Sequence, residues 1–600
     1  MIGKITKALG AIFGIFGEAD PSEMQRMSGR LEHRGEASET WSLAPRVHLG
    51  GRWAADASGS MPAPAATLAL AGSIDNGDSV ATLLRRPRQP EGDDDDASLV
   101  LDLYQKFGPE GFQHLSGPFA LALWDERRER LILARNARGS CPLYVARAGD
   151  RYLFASEYKA LLAIDALPAR PNRDAIQHLQ CTKHVMPDAS CLEGVRAVPP
   201  GSWIELGGDT ERTRRYQKLS IDIVDRSDAA HAEALRQRLL QAADRQTRRF
   251  EAIGVALSGG LDSSAMVAAV HRVAPDKPLH TFTTGLDPGD GAIADARVVA
   301  RHFGTCHHES YLTADAVPAL LPQVLWHMED PIGREEKLFL HVIAAEAAKH
   351  VPVMLMGENA DSLFAGMPRH LVANLAAKVG FGAGPLDEFY RYTQSGRLPT
   401  SLLGKALVAL YYKGAAVPVP RVLGAAPMRE TPGLDLGAAQ PLNELLRRSL
   451  LGAPNAYAAL ERICAGAGLA FNAPYFDGEV VQCALQIPDR LKIRGRQQKY
   501  ILRLACSGLL PDAIAQRKKG MPRLRHDRAF CDVLERLADD LLAPQAVRSR
   551  GLFDPAEVDR ARRRPASGIY GTDQFYRLWT LLLTESWARL FLDGRGARPS

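Results

Sequence analysis

The chain's 600 residues are too many for one hydrophobic core, so at least two domains are expected. Its 46% hydrophobic and 24% charged residues are those of an ordinary globular protein. A formal charge of +5 on this length gives no sign of a chain built to wrap nucleic acid, and it suits an anionic substrate such as a nucleotide.

The first segment sets Lys4 and Lys7 before an apolar run that ends near Gly17, the outline of a signal peptide. The acids Glu18, Asp20 and Glu23 follow directly, so a buried first strand is the better reading. No run reaches the roughly 18 apolar residues of a membrane span, and no membrane partner is expected. The eight cysteines are scattered with no CxxC pair, which argues against zinc, a redox dithiol or a disulfide framework, and for a reduced cytoplasm.

Residues 10–210 read as short strands with turn signals: AIFGIFG from Ala11, TLALAG from Thr67, FALALWD from Phe119, RLILARN from Arg130 and RYLFAS from Arg151. A layered β domain with few helices over 1–215 is expected. EGDDDDAS from Glu91 is an acidic loop that reads as a solvated helix start. From Ala229 the spacing turns helical, and strand and helix then alternate: IGVALSGG, SSAMVAAVHRVA, LHTFTTG from Leu279, DARVVARHFG from Asp295 and PVMLMG from Pro352. That alternation predicts a doubly wound parallel α/β domain, with added helices, over 228–600. The stretch 367–445 reads as helices plus a long loop.

The chemistry sits at Ser258-Gly259-Gly260-Leu261-Asp262-Ser263-Ser264, between a buried strand and a helix. Small residues there let the backbone approach an anion, and the helix start aims its unpaired amides at the same place. Serine hydroxyls add donors, and Asp262 can hold a magnesium ion that neutralises phosphates. The string is not a Walker A loop, since GxxxxGK[ST] is missing from it. A plain capped Gly-Gly turn is the competing reading.

This string resembles the signature of the PP-loop ATP pyrophosphatases, and almost the whole chain resembles their asparagine synthetase superfamily. Met356-Gly357-Glu358-Asn359-Ala360-Asp361-Ser362-Leu363-Phe364-Ala365-Gly366 stands where that superfamily reads roughly SGEGxDExFGG, with Ser362 where an acid is usual. The resemblance implies that Leu257, Ser258, Gly259, Gly260, Asp262, Ser263, Ser264, Thr284 and Gly357 line an ATP site. It further implies that Asp262 and Asp361 hold Mg²⁺, with ATP and Mg²⁺ as cofactors. Gln498-Lys499-Tyr500-Ile501-Leu502-Arg503 and Gln516-Arg517-Lys518-Lys519-Gly520 resemble two further segments, whose lysines approach the phosphates and the reacting centre. A lone helical lysine is usually solvent-exposed, and Lys499 is open to that reading. Lys519 is the better candidate for stabilising developing charge, with Arg517 and Lys518 as solvated neighbours and Glu358 as a base or orienter of the amine. Leu578-Trp579 to Trp587 reads as core.

The amino-terminal part resembles the Ntn-type glutaminase domain of the same branch, but without its chemistry. Phe13, in Phe13-Gly14-Ile15-Phe16-Gly17, occupies the position of the nucleophilic cysteine, and twelve residues precede it. His33-Arg34-Gly35 survives, whereas Ala71-Gly72-Ser73-Ile74-Asp75-Asn76 replaces two residues of the usual NGEIYN. Arg52 and Asp96 match remaining glutamine-holding positions. Cys141 reads as a buried structural thiol. A nucleophile for glutamine is therefore lacking, and the amine must come from elsewhere.

β-Lactam synthetases of this superfamily replace the second-loop Glu by Tyr, which Glu358 counts against. Lasso peptide macrolactam synthetases resemble this chain in length, degenerate glutaminase domain and relaxed second loop. They imply a precursor peptide as substrate, with a leader peptidase and a leader-binding protein as partners. An ammonia-using asparagine synthetase homologue and a non-catalytic ATP-binding regulatory protein are the alternatives.

Overall fold

The computed structural model describes residues 10–53, 66–86, 96–207, 210–217, 219–379, 384–395, 398–412, 421–426, 440–452, 454–517, 527–563, 570 and 572–599. The strands of the first part are β1 (Ala11–Phe16), β2 (Ala37–Ala44), β3 (Val47–Trp53), β4 (Ala66–Gly72), β5 (Phe119–Asp125), β6 (Arg130–Arg135), β7 (Tyr144–Ala148), β8 (Arg151–Ala155), β9 (Val195–Ala197), β10 (Ser202–Gly207) and β11 (Thr210–Arg215). They form two antiparallel sheets, ordered β2-β3-β1-β8-β7-β9 and β11-β10-β6-β5-β4. Ile12, Leu49, Ala69, Ala122, Leu133 and Phe154 pack between the sheets. The expectation of few helices is corrected. Helices α1 (Pro21–Gly29), α2 (Gly77–Leu84), α3 (Asp96–Phe107), α4 (Tyr158–Leu161) and α5 (Arg173–Thr182) contribute to cores on both outer faces. The strands show why: β5 and β6 are buried at nearly every position, so neither face can be left to water.

The second part carries α6 (Asp228–Thr247), β12 (Ile253–Ala256), α7 (Leu261–Val273), β13 (Leu279–Gly285), α8 (Gly291–Phe303), β14 (Cys306–Tyr311), α9 (Val317–Met328), α10 (Glu336–Ala347), β15 (Val353–Leu355), α11 (Ala360–Leu363) and β16 (Ala470–Asn472). Its sheet is wholly parallel, ordered β14-β13-β12-β15-β16. Local chemistry sets the helix ends. The Ser227 and Asp290 side chains accept from backbone amides at the starts of α6 and α8, and Gly304, at φ +64°, closes α8. Helices dominate the remainder. Pro368–Val379, Gly384–Ser395 and Leu402–Tyr412 fall in the stretch 367–445 expected to hold helices and a long loop, Pro441–Gly452 begins near its end, and residues 413–420 and 427–439 of that stretch lie outside the described residues. No helix among the described residues is long and apolar enough to cross a membrane. All eight cysteines are free thiols.

The two parts share one core. A single apolar cluster runs from Ala11, Phe13 and Ile15 to Leu325, Trp579 and Trp587. Charge crosses the same boundary. The Arg34 guanidinium grips Glu461 at 2.5 and 2.9 Å, and the Lys159 amide donates to Glu329 at 2.8 Å. Buried pairs of this kind cost several kcal/mol when one partner is removed, so they fix how the parts meet.

Candidate active site

The loop after β12 is held from behind. The Leu257 amide donates to the Phe282 carbonyl at 2.8 Å, and its own carbonyl accepts from Thr283. Gly259 lies at φ +71°, and a Cβ there would sit 2.5 Å from the Asp295 backbone carbon, so only glycine meets both demands. Ser263 Oγ accepts from the Ser258 amide at 3.2 Å and lies 3.2 Å from Ser258 Oγ, folding the loop over the start of α7. Gly260 occupies the helix N-cap and supplies no side-chain cap. The first-turn amides and the positive end of a 13-residue helix therefore suit an external anion. Ser264 is fully buried and Thr284 nearly so, and both hydroxyls are buried without a hydrogen-bond partner among the described residues.

The second loop packs against the first. A Cβ on Gly357 would lie 2.9 Å from the Asp262 carbonyl carbon and the Ser263 nitrogen. Asn359, standing where the superfamily has glycine, takes φ +78°, the left-handed conformation that asparagine tolerates. Its side chain donates to the Tyr475 carbonyl at 2.9 Å and accepts from the Tyr457 hydroxyl at 3.4 Å. Burial pushes the Tyr457 phenol up to about 12, and the Glu358 charge adds to the rise.

Lys499 joins the loops. Its ammonium lies 2.7 and 2.5 Å from the two oxygens of Asp262 and forms an ion pair with Asp361. The solvent-exposed reading of Lys499 is thereby excluded: the residue is 7% exposed and takes φ +55° just before the helix Tyr500–Ala505. Gly366 makes the room, because a Cβ there would sit 1.9 Å from Asp361 Oδ1 and 2.0 Å from Lys499 Cε. Gln498 pins the segment by donating to the Ala365 and Met367 carbonyls, each at 2.7 Å. Arg517 is corrected from a solvated neighbour to a brace, with contacts of 3.0 Å to the Asp295 carbonyl and carboxylate behind Gly259. Lys518, Lys519 and Gly520 lie outside the described residues.

Sequence reading missed Asp295 and Tyr475, whose hydroxyl lies 3.5 Å from the Asp262 carbonyl. Asp295 opens the helical run DARVVARHFG with no mark of a site, and Tyr475 stands in no recognisable string. The cluster consists of two carboxylates, each about a sixth exposed, around one ammonium beside an amide-rich loop. Oxygen-only acidic ligands fit a magnesium ion, and the ammonium and amides suit phosphates.

Among the described residues, the other half holds no matching site. Phe13 is fully buried at the middle of β1, opposite Gly50 and Ala155, and a Cβ on Gly50 would strike its ring. Arg52 donates to the carbonyls of Gly35, Ser28 and Glu36, so its guanidinium is taken up by backbone. Asp96 accepts from the Ile74 amide at 2.8 Å. Ser73 Oγ accepts from Arg249 across the boundary between the parts, and His33 and Arg34 both bind the buried Glu157. Burial pushes the Cys141 thiol up to about 12, leaving it a poor nucleophile. Incubation with glutamine is therefore expected to release no glutamate above the enzyme-free rate, with Cys141→Ala indistinguishable from the parent in a coupled glutamate assay.

An amidotransferase-type double sheet joined to a parallel-sheet domain with this acid–lysine–acid cluster defines the glutaminase–synthetase class of ligases. The chain matches the asparagine synthase family over residues 234–589 and the glutamine amidotransferase domain over residues 9–217. It belongs to the asparagine synthase family, whose members are ATP-dependent carbon–nitrogen ligases. A provisionally named glutamine-hydrolysing asparagine synthetase of Mycobacterium tuberculosis is 28% identical over 543 residues, covering 83% of this chain and 80% of its own. The glutamine-hydrolysing asparagine synthetase 1 of Bacillus subtilis is 26% identical over 474 residues, 72% of each chain. Among solved structures, the B. subtilis glutamine phosphoribosylpyrophosphate amidotransferase aligns with 50% of this chain and 80% of its own, at 12% identity and a TM-score of 0.27.

Proposed function

We propose that the protein adenylates an Asp or Glu side chain of a precursor peptide and closes it onto the peptide's N-terminal amine, releasing AMP and pyrophosphate. The observation that carries this reading is a pairing of opposites. The Asp262–Lys499–Asp361 cluster beside the loop is intact, while Phe13 seals the position from which a glutaminase would supply ammonia.

In this reading the Ser258–Ser264 backbone binds the ATP phosphates. Asp262 and Asp361 would hold Mg²⁺, which would supply Lewis-acid neutralisation of phosphate charge. A peptide carboxylate oxygen attacks the α phosphorus as the bond to the β-phosphate oxygen breaks, and Lys499 balances the charge gathering on the departing pyrophosphate. The amine nitrogen then attacks the acyl carbon, AMP leaves, and Glu358 takes the amine proton. Holding the amine beside the adenylate supplies much of the rate. A leader peptidase and a leader-binding protein would prepare the peptide, all in the cytoplasm; neither nucleic acid nor membrane takes part.

The test is a peptide with a free N-terminal amine and an acidic side chain several residues later, offered in full-length and leader-free forms with ATP and Mg²⁺. Mass spectrometry is expected to show loss of one water together with AMP. Aspartate and ammonium turning over to asparagine at a comparable rate would overturn this reading in favour of the ammonia-using homologue. ATP binding without turnover of either substrate would favour the non-catalytic one.

A further inference from the structure

Away from the Ser258–Ser264 loop, three histidines from separate elements come together at the amino ends of the synthetase strands. His280 stands second on β13, His308 third on β14, and His350 follows α10. β13 and β14 run parallel with His280 opposite Cys306 and Phe282 opposite His308, so His280 and His308 share one face of the sheet. Their ring nitrogens Nδ1 and Nε2 are 3.0 Å apart, and ligand atoms of all three histidines lie within 4.8 Å of one another. The His308 and His350 rings stack at 4.0 Å between centroids. Glu346, on α10, lies 3.1 Å from His350 Nε2.

We propose that His280, His308 and His350 form a binding site for a divalent transition metal of the zinc type, with Glu346 orienting His350. Tetrahedral zinc with nitrogens at about 2.0–2.1 Å holds its ligand atoms about 3.3 Å apart. The His280–His308 pair already stands near that spacing, and the exposed His350 closes the remainder by rotating its ring. On binding, the hydrogen bond shared by His280 and His308 gives way to two nitrogen–metal bonds. The ring that donated this hydrogen bond releases that proton to solvent and takes one up on its other nitrogen, so both nitrogens facing the metal are unprotonated. Glu346 at Nε2 leaves Nδ1 of His350 for the metal, the carboxylate–histidine–metal arrangement that fixes ring orientation.

Cysteine spacing argues against zinc in the sequence, but it says nothing of imidazoles gathered from positions 28 and 42 residues apart. Imidazole donors select zinc, copper or nickel over magnesium, so this site and the carboxylate cluster do not compete for one ion. His280 lies four residues before Thr284 on the same strand, about 13 Å at strand rise, so the metal has no place in the ligase chemistry. Its consequence is mechanical: it ties β14, a polar edge strand, to the end of α10.

Full-length protein dialysed against a chelator is titrated with Co²⁺, followed by its visible d–d absorption, and then with Zn²⁺ by competition. About one equivalent per chain is expected, with affinity lowered at least about tenfold in His308→Ala and in His350→Ala. Asp262→Asn is expected to titrate like the parent, which separates this site from the ligase reading. His350 sits in an exposed turn, so its variant carries the test if His308→Ala fails to fold. No Co²⁺ absorption in the parent, or equal uptake by parent and His350→Ala, overturns the site.

Discussion

Replacing Lys499 by methionine is expected to lower AMP formation by about 100- to 1,000-fold, the usual loss when one preorganised charge donor leaves an active site. Methionine keeps most of the side-chain length, so the space beside Gly366 stays filled and only the charge departs. The loss then follows from two effects. Pyrophosphate leaves without its balancing cation. Asp262 and Asp361, which converge on the same ammonium, also lose the cation they share, leaving the bound metal alone to offset their like charge. Circular dichroism checks that the fold persists while AMP release is timed. Parent-like AMP release by Lys499→Met would remove the lysine from the reaction.

Asp262→Asn and Asp361→Asn are each expected to reduce AMP formation by about 100-fold or more and to raise the Mg²⁺ concentration needed for half-maximal rate. An amide keeps the shape of the carboxylate but loses its charge, and a hard cation held by carboxylates is worth several kcal/mol of charge stabilisation. The amide can still accept a hydrogen bond from Lys499, so stability should change little beside activity. The two effects are read separately, by AMP release across a Mg²⁺ titration and by thermal unfolding. Parent rates with an unchanged Mg²⁺ dependence in either variant would sink the metal assignment.

Much of the architecture was legible wherever the signal was local. AIFGIFG, TLALAG, FALALWD, RLILARN and RYLFAS are strands because apolar runs bounded by turn residues need no distant partner to be recognised. β14 escaped. Its residues CHHESY are exposed or half-buried throughout, and a polar edge strand shows neither alternation nor an apolar run. β16, three residues long and far along the chain, joins the sheet only because β15 offers it an edge.

Short runs of residues were enough to place the Ser258–Ser264 loop between strand and helix and to show the loss of the glutaminase nucleophile at Phe13. The loop is written in contiguous residues whose conformational demands are local, and the missing nucleophile in a contiguous motif read by resemblance. That Lys499 reaches back across 237 positions to Asp262 emerges from the packed fold alone. That contact depends on a left-handed backbone at Lys499 and a missing side chain at Gly366, neither of which is a periodic signal. The same holds for Arg517 behind Gly259 and for the three histidines. Convergence of distant side chains is set by how elements pack, and packing energy belongs to the assembled core and to no single segment of the chain.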